Sequence, residues 1–389
     1  MVDARIDVLR SIPEVEKIRT KWQEMQWHPN SDIDNFLMTV GSRKEIINPF
    51  VIMAAADGHE AIVVGRIENT VSRVKFGYKT LYQFPVRQLS IIHGGLLGTF
   101  GERNTQMVIS AIFNALREKE AELAFFNHIP VNSTLYFPLK SKTSVLWRSY
   151  PVAQDVHWKA TLHGNHNDFL KRLSSKSRYN LRRVEKSLEK EFPGDILIRK
   201  FDQENDVEFL MKDAEQVAKT SYQRGLGVGF ADNPDMSVHL TLMAEKNWLC
   251  AYLLYLGGVP CAFWMGTKYN HTFFLDSTGY NPSYYRYEIG TILFLKMIED
   301  LYQDKSIQEI DFGLGHASYK ERFADNKSED FTMYIWGPTA KGVLFNMFQT
   351  TVSITSRCAE NILSKTGLHD RIKRRWRSLL QKNNAEPEG

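Results

Sequence analysis

Hydrophobic and polar positions along this chain follow the two periods that indicate strands and helices. In the first half, successive elements are predicted at 49–56, 60–67, 79–98, 104–119 and 121–127. The first two are strands that flank Asp57-Gly58-His59, which is a hairpin signal. The segment at 104–119 has helical spacing, and the segment at 121–127 is an apolar run typical of a buried strand. The first half therefore predicts antiparallel strands followed by a helix and a strand.

The second half repeats this order more clearly. Its predicted elements are a strand at 157–162, helices at 166–191 and 205–223, strands at 195–201, 248–256, 259–267 and 271–276, a helix at 290–303, and strands at 307–312 and 331–336. Gly257-Gly258 is a two-residue hairpin turn. We predict an α/β (α+β) chain with two copies of one fold, each a mixed, mostly antiparallel sheet flanked by helices. The domains are predicted at 1–154 and 155–338, with 339–389 as a C-terminal extension of basic helices.

Composition places the chain among ordinary globular proteins. Hydrophobic residues are 43% and charged residues 24% of the 389, which argues against disordered, collagen-like and coiled-coil chains. A net charge of +4 excludes a protein that simply coats nucleic acid. Three widely spaced cysteines give neither a disulfide framework nor a zinc knuckle. With no secretory signal and no apolar span evident, we expect a cytoplasmic protein.

The sequence near the C-terminus is basic, with a cluster at Arg371, Lys373, Arg374, Arg375 and Arg377. One interpretation is a solvated helix that packs by its apolar edge. The other is a contact with a membrane surface or an anionic polymer, which leaves open a peripheral position at the inner membrane.

The strongest local signal for chemistry is the segment 311–320, which leaves a buried strand and enters a helical stretch. Gly313 and Gly315 let a backbone approach a ligand closely, and amides at a helix start attract phosphate or an oxyanion. Tyr319 and Lys320 add a proton donor and a cation. Two alternatives stay open: a tight turn with a capping aspartate, and a dinucleotide-binding fold, whose third glycine is missing here.

A second signal follows the strand predicted at 271–276. Asp276 ends that strand, and Arg286, Gly290 and Thr291 lie where the next helix begins. A cation and a glycine at a helix N-terminus suit a pyrophosphate. The alternative is an aromatic surface loop with an ordinary helix cap.

The helix over 171–190 carries eight Lys or Arg residues and two Glu, with Arg178 and Arg182 one turn apart. This face suits phosphates or an acidic polymer, although a solvated helix also explains a charge run. The Gly-rich loop at 221–230 is either a mobile cover for a substrate or a plain connector. No metal-binding set is evident, and the HExxH, GxSxG and Walker A motifs are absent from the sequence.

Four segments, taken in order, resemble the acetyltransferase domain of the GNAT superfamily in its CelD-like branch, which is associated with cellulose and exopolysaccharide biosynthesis. They are FLKRLSSKSRYNLRR (169–183), SYQRGLGVGF (221–230), YNPSYYRYEIGT (280–291) and IDFGLGHASYKERF (310–323). The resemblance covers about 155–325 and extends to the FemAB-like transferases, which pair two such domains. It implies that the first half is a degenerate GNAT-like domain.

The resemblance implies a sheet that splays between the strands ending near Asp276 and Asp311, where the pantetheine arm of an acyl-CoA enters. The candidate cofactor-binding residues are Arg286, Gly290, Thr291, Gly313 and Gly315. The superfamily pattern Q/R-x-x-G-x-G/A begins here at Arg286 but has Ile289 at its first glycine. An aminoacyl-tRNA, as in FemAB-like enzymes, is the alternative acyl donor.

The implied reaction is direct attack of an amine or hydroxyl on a thioester, with a base to take the acceptor's proton and an acid to protect the leaving thiolate. The candidate catalytic residues are Asp276 or Glu288 as the base, Tyr319 as the acid and Lys320 as a cation. The candidate substrate-binding residues are Arg178, Arg182, Tyr222, Arg224 and His316. Asp311 is expected to orient its loop rather than react, and no metal is expected.

The sequence therefore predicts a GNAT-type N-acyltransferase that uses acyl-CoA and whose catalytic half is the second. The family association suggests an amino sugar or a precursor of a surface polysaccharide as the acceptor. The first alternative is a transferase that depends on aminoacyl-tRNA. The second is a non-catalytic module that binds a membrane surface through 371–377.

Overall fold

A computed structural model of the protein describes residues 4–77, 79–221, 224 and 229–365. Contacts within the chain divide these residues into two compact units: unit 1 contains 4–156 and 328–365, and unit 2 contains 157–327. The domain bounds predicted from the sequence stay predictions. In the structure, residues 330–336 pair with residues 123–130 of unit 1.

The elements follow one another along the chain as alternating groups of helices and strands. The strands are β1 (Arg5–Leu9), β2 (Ile46–Ala56), β3 (His59–Phe76), β4 (Lys79–Gly98), β5 (Leu123–Pro130), β6 (Ala153–Thr161), β7 (Ile196–Phe201), β8 (Leu249–Leu256), β9 (Val259–Tyr269), β10 (Thr272–Tyr280), β11 (Glu309–Leu314) and β12 (Asn326–Trp336). The α-helices are α1 (Ile12–Glu16), α2 (Arg19–Met25), α3 (Ile33–Ser42), α4 (Glu102–Arg117), α5 (Tyr136–Lys142), α6 (His166–Lys171), α7 (Ser175–Glu191), α8 (Val207–Lys219), α9 (Pro234–Glu245), α10 (Ile289–Leu301), α11 (Ser318–Phe323) and α12 (Ala340–Lys365).

The two units share one strand topology. In unit 1 the order of neighbouring strands is β1-β2-β3-β4-β5-β12, and in unit 2 it is β6-β11-β10-β9-β8-β7. Each sheet contains one parallel pair, β4 with β5 and β10 with β11, and a helix connects the two strands of each pair. The other pairs within each unit are antiparallel. The predicted fold class, with two similar α/β units, is confirmed.

Helices cover both faces of the sheet in unit 2. Along β8, Cys250, Tyr252 and Leu254 pack with α7 and α10, whereas Ala251 and Leu253 pack with α8 and α9. Because successive side chains of a strand point to opposite faces, a strand covered on both sides is apolar at every position. This burial explains the unbroken apolar sequence at 248–256. The Gly257-Gly258 turn has positive φ at both residues, as a two-residue hairpin of this type requires.

The sheet of unit 1 is also covered on both faces. Phe50 and Ile52 of β2 pack on the side of α4, and Val51 packs on the side of α2 and α3. After β12 the chain forms α12, which begins the predicted C-terminal extension. The basic cluster predicted at 371–377 lies outside the described residues. Among the described residues, helix length and hydropathy together give no candidate for a membrane-spanning segment.

Candidate functional site

A fork between two parallel strands is the main feature of unit 2. Strands β10 and β11 pair over only three residues each, and their register ends at Phe274 and Asp311. Beyond these residues β10 continues along β9 as far as Tyr280, and β11 continues along β6 as far as Leu314. Backbone groups that face such a gap lack the partners that a continuous ladder supplies. The fork lies where the resemblance implies that the sheet splays.

Both strands carry a β-bulge at the point where they part. The register of β10 shifts between Leu275 and Ser277, and that of β11 shifts between Asp311 and Gly313. A bulge bends its strand and re-aims the side chain that it leaves unpaired. Asp276 is therefore the bulged residue of β10 and lies beside the fork.

Asp276 lines a pocket of about 270 Å³ beside α9. The hydroxyl of Thr267 donates a hydrogen bond of 2.7 Å to Oδ2 of Asp276. Its apolar lining residues are Phe230, Met236, Leu240, Met243, Leu249 and Met265, and its polar ones besides Asp276 are His239, Thr267 and Ser277. A carboxylate thus lies in a pocket with both apolar and polar walls.

The pKa of Asp276 is raised to about 6. Loss of hydration inside the pocket is the main cause, the negative charge of Asp311 adds to it, and the hydrogen bond from Thr267 opposes it. Solvent still reaches the Asp276 side chain through the mouth of the pocket, so its loss of hydration is partial. The carboxylate is ionised at neutral pH, and its pKa lies close enough to 7 for it to accept a proton.

The N-terminus of α10 forms the other side of the site. Glu288 precedes the helix with a left-handed backbone (φ 44°), and the amides of Thr291 and Ile292 bond to its carbonyl. The first amides of a helix, here those of Ile289 and Gly290, have no acceptor within the helix and carry the positive end of its dipole. A Cβ added to Gly290 would approach nothing closer than Tyr280 at 3.7 Å. This helix end therefore has the chemistry that binds phosphate.

Trp264 contacts both the start of α10 and Tyr319, the predicted acid. Its indole Nε1 donates a hydrogen bond of 2.8 Å to the carbonyl of Gly290, and its ring meets that of Tyr319 edge to face at 5.1 Å. Tyr319 also lies edge to face against Phe312 of β11. Gly290 and Tyr319, 29 residues apart in sequence, thus share one neighbour. Sequence analysis missed Trp264. The only hint in the sequence was that this residue brings an indole N–H donor into a strand of otherwise apolar residues.

Glu288 connects three helices. The side-chain amide of Asn180 on α7 donates to Oε1 of Glu288 at 3.0 Å, and the guanidinium of Arg322 on α11 lies 3.6 Å from Oε2. These contacts attach α7 and α11 to the start of α10. The role of Glu288 as a base stays a prediction.

Asp311 organises the turn that follows β11. Its Oδ1 accepts a hydrogen bond of 2.7 Å from the amide of Gly313 and lies 2.6 Å from Nε2 of His157 on β6. Its Oδ2 lies 3.7 Å from Nζ of Lys159. Burial alone would raise the pKa of Asp311, but the bonds to His157 and Gly313 and the nearby Lys159 lower it on balance. Asp311 stays ionised and orients the turn, and His157 is a site residue that sequence analysis missed.

Lys320 closes the same turn from its other side. Its ammonium donates a hydrogen bond of 2.6 Å to the carbonyl of Leu314, and the residue is only 8% exposed. Burial lowers the pKa of Lys320 to about 8, and the charge of Asp311 opposes this shift. Gly313 and Gly315 have positive φ within the turn, which glycine adopts without strain. The structure thus gives Lys320 a partner in the protein backbone, and its predicted role toward a ligand stays a prediction.

Two predicted arginines have partners away from the fork. Arg178 donates to the carbonyl of Leu173 at 2.6 Å, and with Arg182 it lines a separate pocket of about 160 Å³ beside α6 and α10. Arg224 pairs with Glu215 of α8 and donates to the carbonyl of Phe230 at 3.2 Å. Because Phe230 lines the Asp276 pocket, Arg224 anchors one wall of that pocket.

The remaining candidates lie at the surface or cannot be placed. Arg286 is exposed and lies 3.4 Å from Glu191, and His316 is exposed and lies 3.5 Å from Glu321. Tyr222 lies outside the described residues. The structure therefore brings Asp276, Gly290 and Tyr319 to the fork or its borders and leaves Arg286 and His316 in contacts with surface acids.

Unit 1 has the same fork, but a histidine side chain bridges it. Strands β4 and β5 end their parallel register at Ile91 and Phe126. Just beyond, Nδ1 of His93 lies 2.9 Å from the carbonyl of His128, so a side chain spans the parted strands. The ring of His28 packs on Gly94, where an added Cβ would come within 2.5 Å of that ring.

Comparison with known proteins supports the same fold. Residues 175–321 match the family model described as an acetyltransferase (GNAT) domain. The chain is similar to the tandem GNAT protein from the clavulanic acid biosynthesis pathway, with a TM-score of 0.51, 8% identity and coverage of 87% of this chain and 100% of that one. It is also similar to L-PGS from Bacillus licheniformis, with a TM-score of 0.50, 13% identity and coverage of 89% and 97%. No curated protein matches the sequence. These likenesses show a tandem GNAT fold, and the CelD-like branch stays a prediction.

Proposed function

We propose that this protein is an acyltransferase that moves an acyl group from acyl-CoA to an amine or hydroxyl acceptor, with unit 2 as the catalytic unit. The observation that carries the proposal is the fork between β10 and β11 with the N-terminus of α10 at its side. The His93 side chain favours unit 2 as the catalytic unit, because its contact with the carbonyl of His128 bridges the parted strands of unit 1.

The fork and the helix end suit the two halves of an acyl-CoA. The amide groups of a pantetheine arm bond to strand edges in the way that an added strand does, and the parted strands offer such edges. The pyrophosphate would meet the amides at the start of α10. A backbone amide of the fork would then polarise the thioester carbonyl.

The Asp276 pocket suits the acceptor. In this scheme the nitrogen or oxygen of the acceptor attacks the thioester carbon and forms the new acyl bond, and its proton passes to the Asp276 carboxylate. The C–S bond breaks, and the thiolate takes a proton from the Tyr319 hydroxyl. A raised pKa of about 6 makes Asp276 a better proton acceptor than an ordinary aspartate. An amino sugar or a precursor of a surface polysaccharide stays the predicted acceptor.

Titration calorimetry with acetyl-CoA and longer acyl-CoAs tests the donor. Gly290→Asp adds a negative charge at the helix N-terminus, a place where Asp favours the helix itself, so the variant should fold. We expect it to weaken donor binding by at least about tenfold, since that corresponds to only about 1.4 kcal/mol. Gly41→Asp is a control for an added aspartate away from the proposed site, because Gly41 lies near the end of α3 with open space around it.

Two results would contradict the acyl-CoA donor. One is a wild-type protein that binds no acyl-CoA of any chain length. The other is equal weakening by Gly290→Asp and Gly41→Asp, because only the first lies at the proposed phosphate site.

An aminoacyl-tRNA is a second candidate donor, favoured by the surface of α7. That helix exposes five cations, Lys176, Arg182, Arg183, Lys186 and Lys190. Binding to the phosphates of a tRNA would weaken steeply with added salt, because it releases counterions. Salt-dependent tRNA binding that is lost when these residues are neutralised would support this donor, and its absence would leave acyl-CoA.

A further inference from the structure

Unit 1 contains a pocket of about 320 Å³ that is bordered by the second half of α4, the end of α5 and the end of β12. Trp336, which lines the pocket, pairs in the sheet with Leu123 at the start of β5. The fork of unit 1 opens toward the other end of β5, after Phe126. The pocket is therefore a different site from the unit 1 counterpart of the proposed acyl-CoA site.

Secondary structure fixes the walls of this pocket. The amide of Trp336 donates a hydrogen bond of 2.7 Å to the carbonyl of Trp147, which holds two walls side by side. Ser110, Phe113 and Arg117 form a third wall and share one face of α4, because they are three and four positions apart. A pocket with such walls is largely formed before a ligand arrives, as small-molecule sites usually are.

The inner lining of the pocket is apolar and aromatic. Leu116, Ile335 and Trp336 are at most 3% exposed, and the rings of Phe113 and Trp147 are half-buried beside them. Aromatic side chains stack on a flat ligand ring or meet its edge, which adds to the gain from buried area. A cavity of about 150 Å³ holds benzene, so the larger volume here suits a flat body of one or two rings.

Two cations lie at the mouth of the pocket. Arg117 and Lys142 are exposed lining residues, and no acidic residue of the described part of the chain lines the pocket with them. Arg117 donates to the side-chain oxygen of Asn114, and neither cation pairs with an acidic side chain among the described residues. The hydroxyls of Ser110 and Thr143 donate to backbone carbonyls. The two cations are thus the lining groups that recognise a charge.

We propose that this pocket binds a small aromatic carboxylate, with its ring against the inner lining and its carboxylate toward Arg117 and Lys142. A guanidinium binds a carboxylate through two parallel hydrogen bonds, which suits Arg117 to this role. The pocket borders the last two turns of α4, whose end is the negative pole of the helix dipole. A ligand with one negative charge is therefore favoured over a polyphosphate. The proposal does not rest on the activity proposed for unit 2.

An alkyl carboxylate and a nucleotide fit the pocket less well. An alkyl chain gains from burial but not from ring contacts with Phe113, Trp147 and Trp336. A nucleotide brings ribose hydroxyls as well as phosphate charges. The hydroxyls that line the pocket, on Ser110 and Thr143, already use their donors within the protein.

Titration calorimetry on the full chain tests the proposal with four probes. Naphthoate has the expected size and charge, naphthamide is its neutral analogue, octanoate is an alkyl anion, and pyrenecarboxylate is too large for the pocket. The test variant is Arg117→Gln with Lys142→Gln. The matched control is Arg103→Gln with Lys140→Gln, which removes the same charges from α4 and α5 outside the pocket lining. All four side chains are exposed, so the folds should persist.

We expect the wild type and the control to bind naphthoate equally and to release it as salt rises. Naphthoate should bind the test variant at least about tenfold more weakly, and naphthamide should bind the wild type with a similar loss, because charge-assisted hydrogen bonds are missing in both cases. Octanoate and pyrenecarboxylate should also bind more weakly than naphthoate. Acyl-CoA binding should be the same in all three proteins, so a failure here is distinct from a failure of the proposed activity.

Three results would overturn the proposal. The first is a wild-type protein that does not bind naphthoate. The second is the same naphthoate affinity in the test variant and the control, which would place any binding away from Arg117 and Lys142. The third is binding of naphthamide or octanoate as tight as that of naphthoate, because recognition would then not depend on both the charge and the ring.

Discussion

The hydrogen bond from Thr267 to Asp276 gives the sharpest test of the site. The hydroxyl donates to Oδ2 at 2.7 Å and so favours the charged form of the carboxylate. Thr267→Val keeps the shape of the side chain and removes the donor. Without this bond the charged form of Asp276 is less stable relative to the neutral form. The pKa of Asp276 therefore rises above its already raised value of about 6.

The size of the shift follows from the strength of such bonds. A hydrogen bond to a charged group contributes about 1.5–3 kcal/mol to stability. One pKa unit corresponds to about 1.36 kcal/mol, which converts this range into a shift of roughly one to two units. Solvent reaches Asp276 and replaces part of the lost bond. We therefore expect a rise of roughly half a unit to one unit.

Carboxyl carbon NMR with selectively labelled aspartate measures this pKa without any substrate. The spectrum of Asp276→Asn identifies the resonance of Asp276 by its absence. Thr278→Val is the matched control, because the Thr278 hydroxyl donates to the carbonyl of Phe263 and not to the carboxylate. Its Asp276 pKa should equal that of the wild type.

An unchanged or lowered pKa of Asp276 in Thr267→Val would contradict this prediction, because the bond from Thr267 would then not favour the ionised carboxylate. If Asp276 is also the base, the acid limb of the pH profile of kcat/KM should move to higher pH. The size of this move should equal the change in the pKa of Asp276 measured by NMR. A moved pKa with an unmoved limb would instead remove Asp276 from the role of base.

Three further predictions concern the residues around the fork. Asp276→Asn should lower turnover by about 10²–10⁴-fold while donor binding persists. It should also stabilise the fold at pH 8 but not at pH 4, because a folded pKa of about 6 makes the wild type lose stability as pH rises from an unfolded value of about 3.9. Asp311→Ala should lower the free energy of unfolding in urea by about 3–5 kcal/mol, since it removes a buried carboxylate that contacts His157 and accepts from the Gly313 amide. That loss should shrink as pH falls below about 4, because the pKa of Asp311 is lowered in the folded protein, so its contribution is complete above the unfolded pKa and is lost as pH falls through the folded one. Trp264→Phe should cost about 1–3 kcal/mol in thermal unfolding and weaken acyl-CoA binding, because the carbonyl of Gly290 loses its donor; an unchanged melting temperature would contradict this account.

Local patterns in the sequence predict much of the fold. The β8–β9 hairpin follows from two apolar runs around Gly257-Gly258, and α10 follows from apolar spacing over 290–303. These predictions hold because strand and helix periods depend on neighbours in sequence. Repeated order of elements also predicted two similar units, which the strand orders confirm.

Local patterns do not show which groups each side chain contacts in the folded protein. Arg178 and Arg224 have the charge of ligand-binding residues, yet the structure satisfies them with backbone carbonyls and Glu215. A sequence shows that a side chain carries charge but does not show what it meets. For the same reason the sequence did not point to His157, which lies 2.6 Å from Asp311 across 154 positions.

Local patterns predicted most of the elements in their order and the residue types at strand ends and helix starts, although the helix Pro234–Glu245 was not predicted. The folded chain was needed to see that β10 and β11 pair over three residues and then part, and that β12 pairs with β5 in unit 1. It alone decided that the Thr267 hydroxyl meets Asp276 and that the Trp264 indole meets Gly290. The physical reason is that periodicity and turn chemistry act between near neighbours, whereas strand pairing and buried hydrogen bonds join residues that only the folded chain brings together.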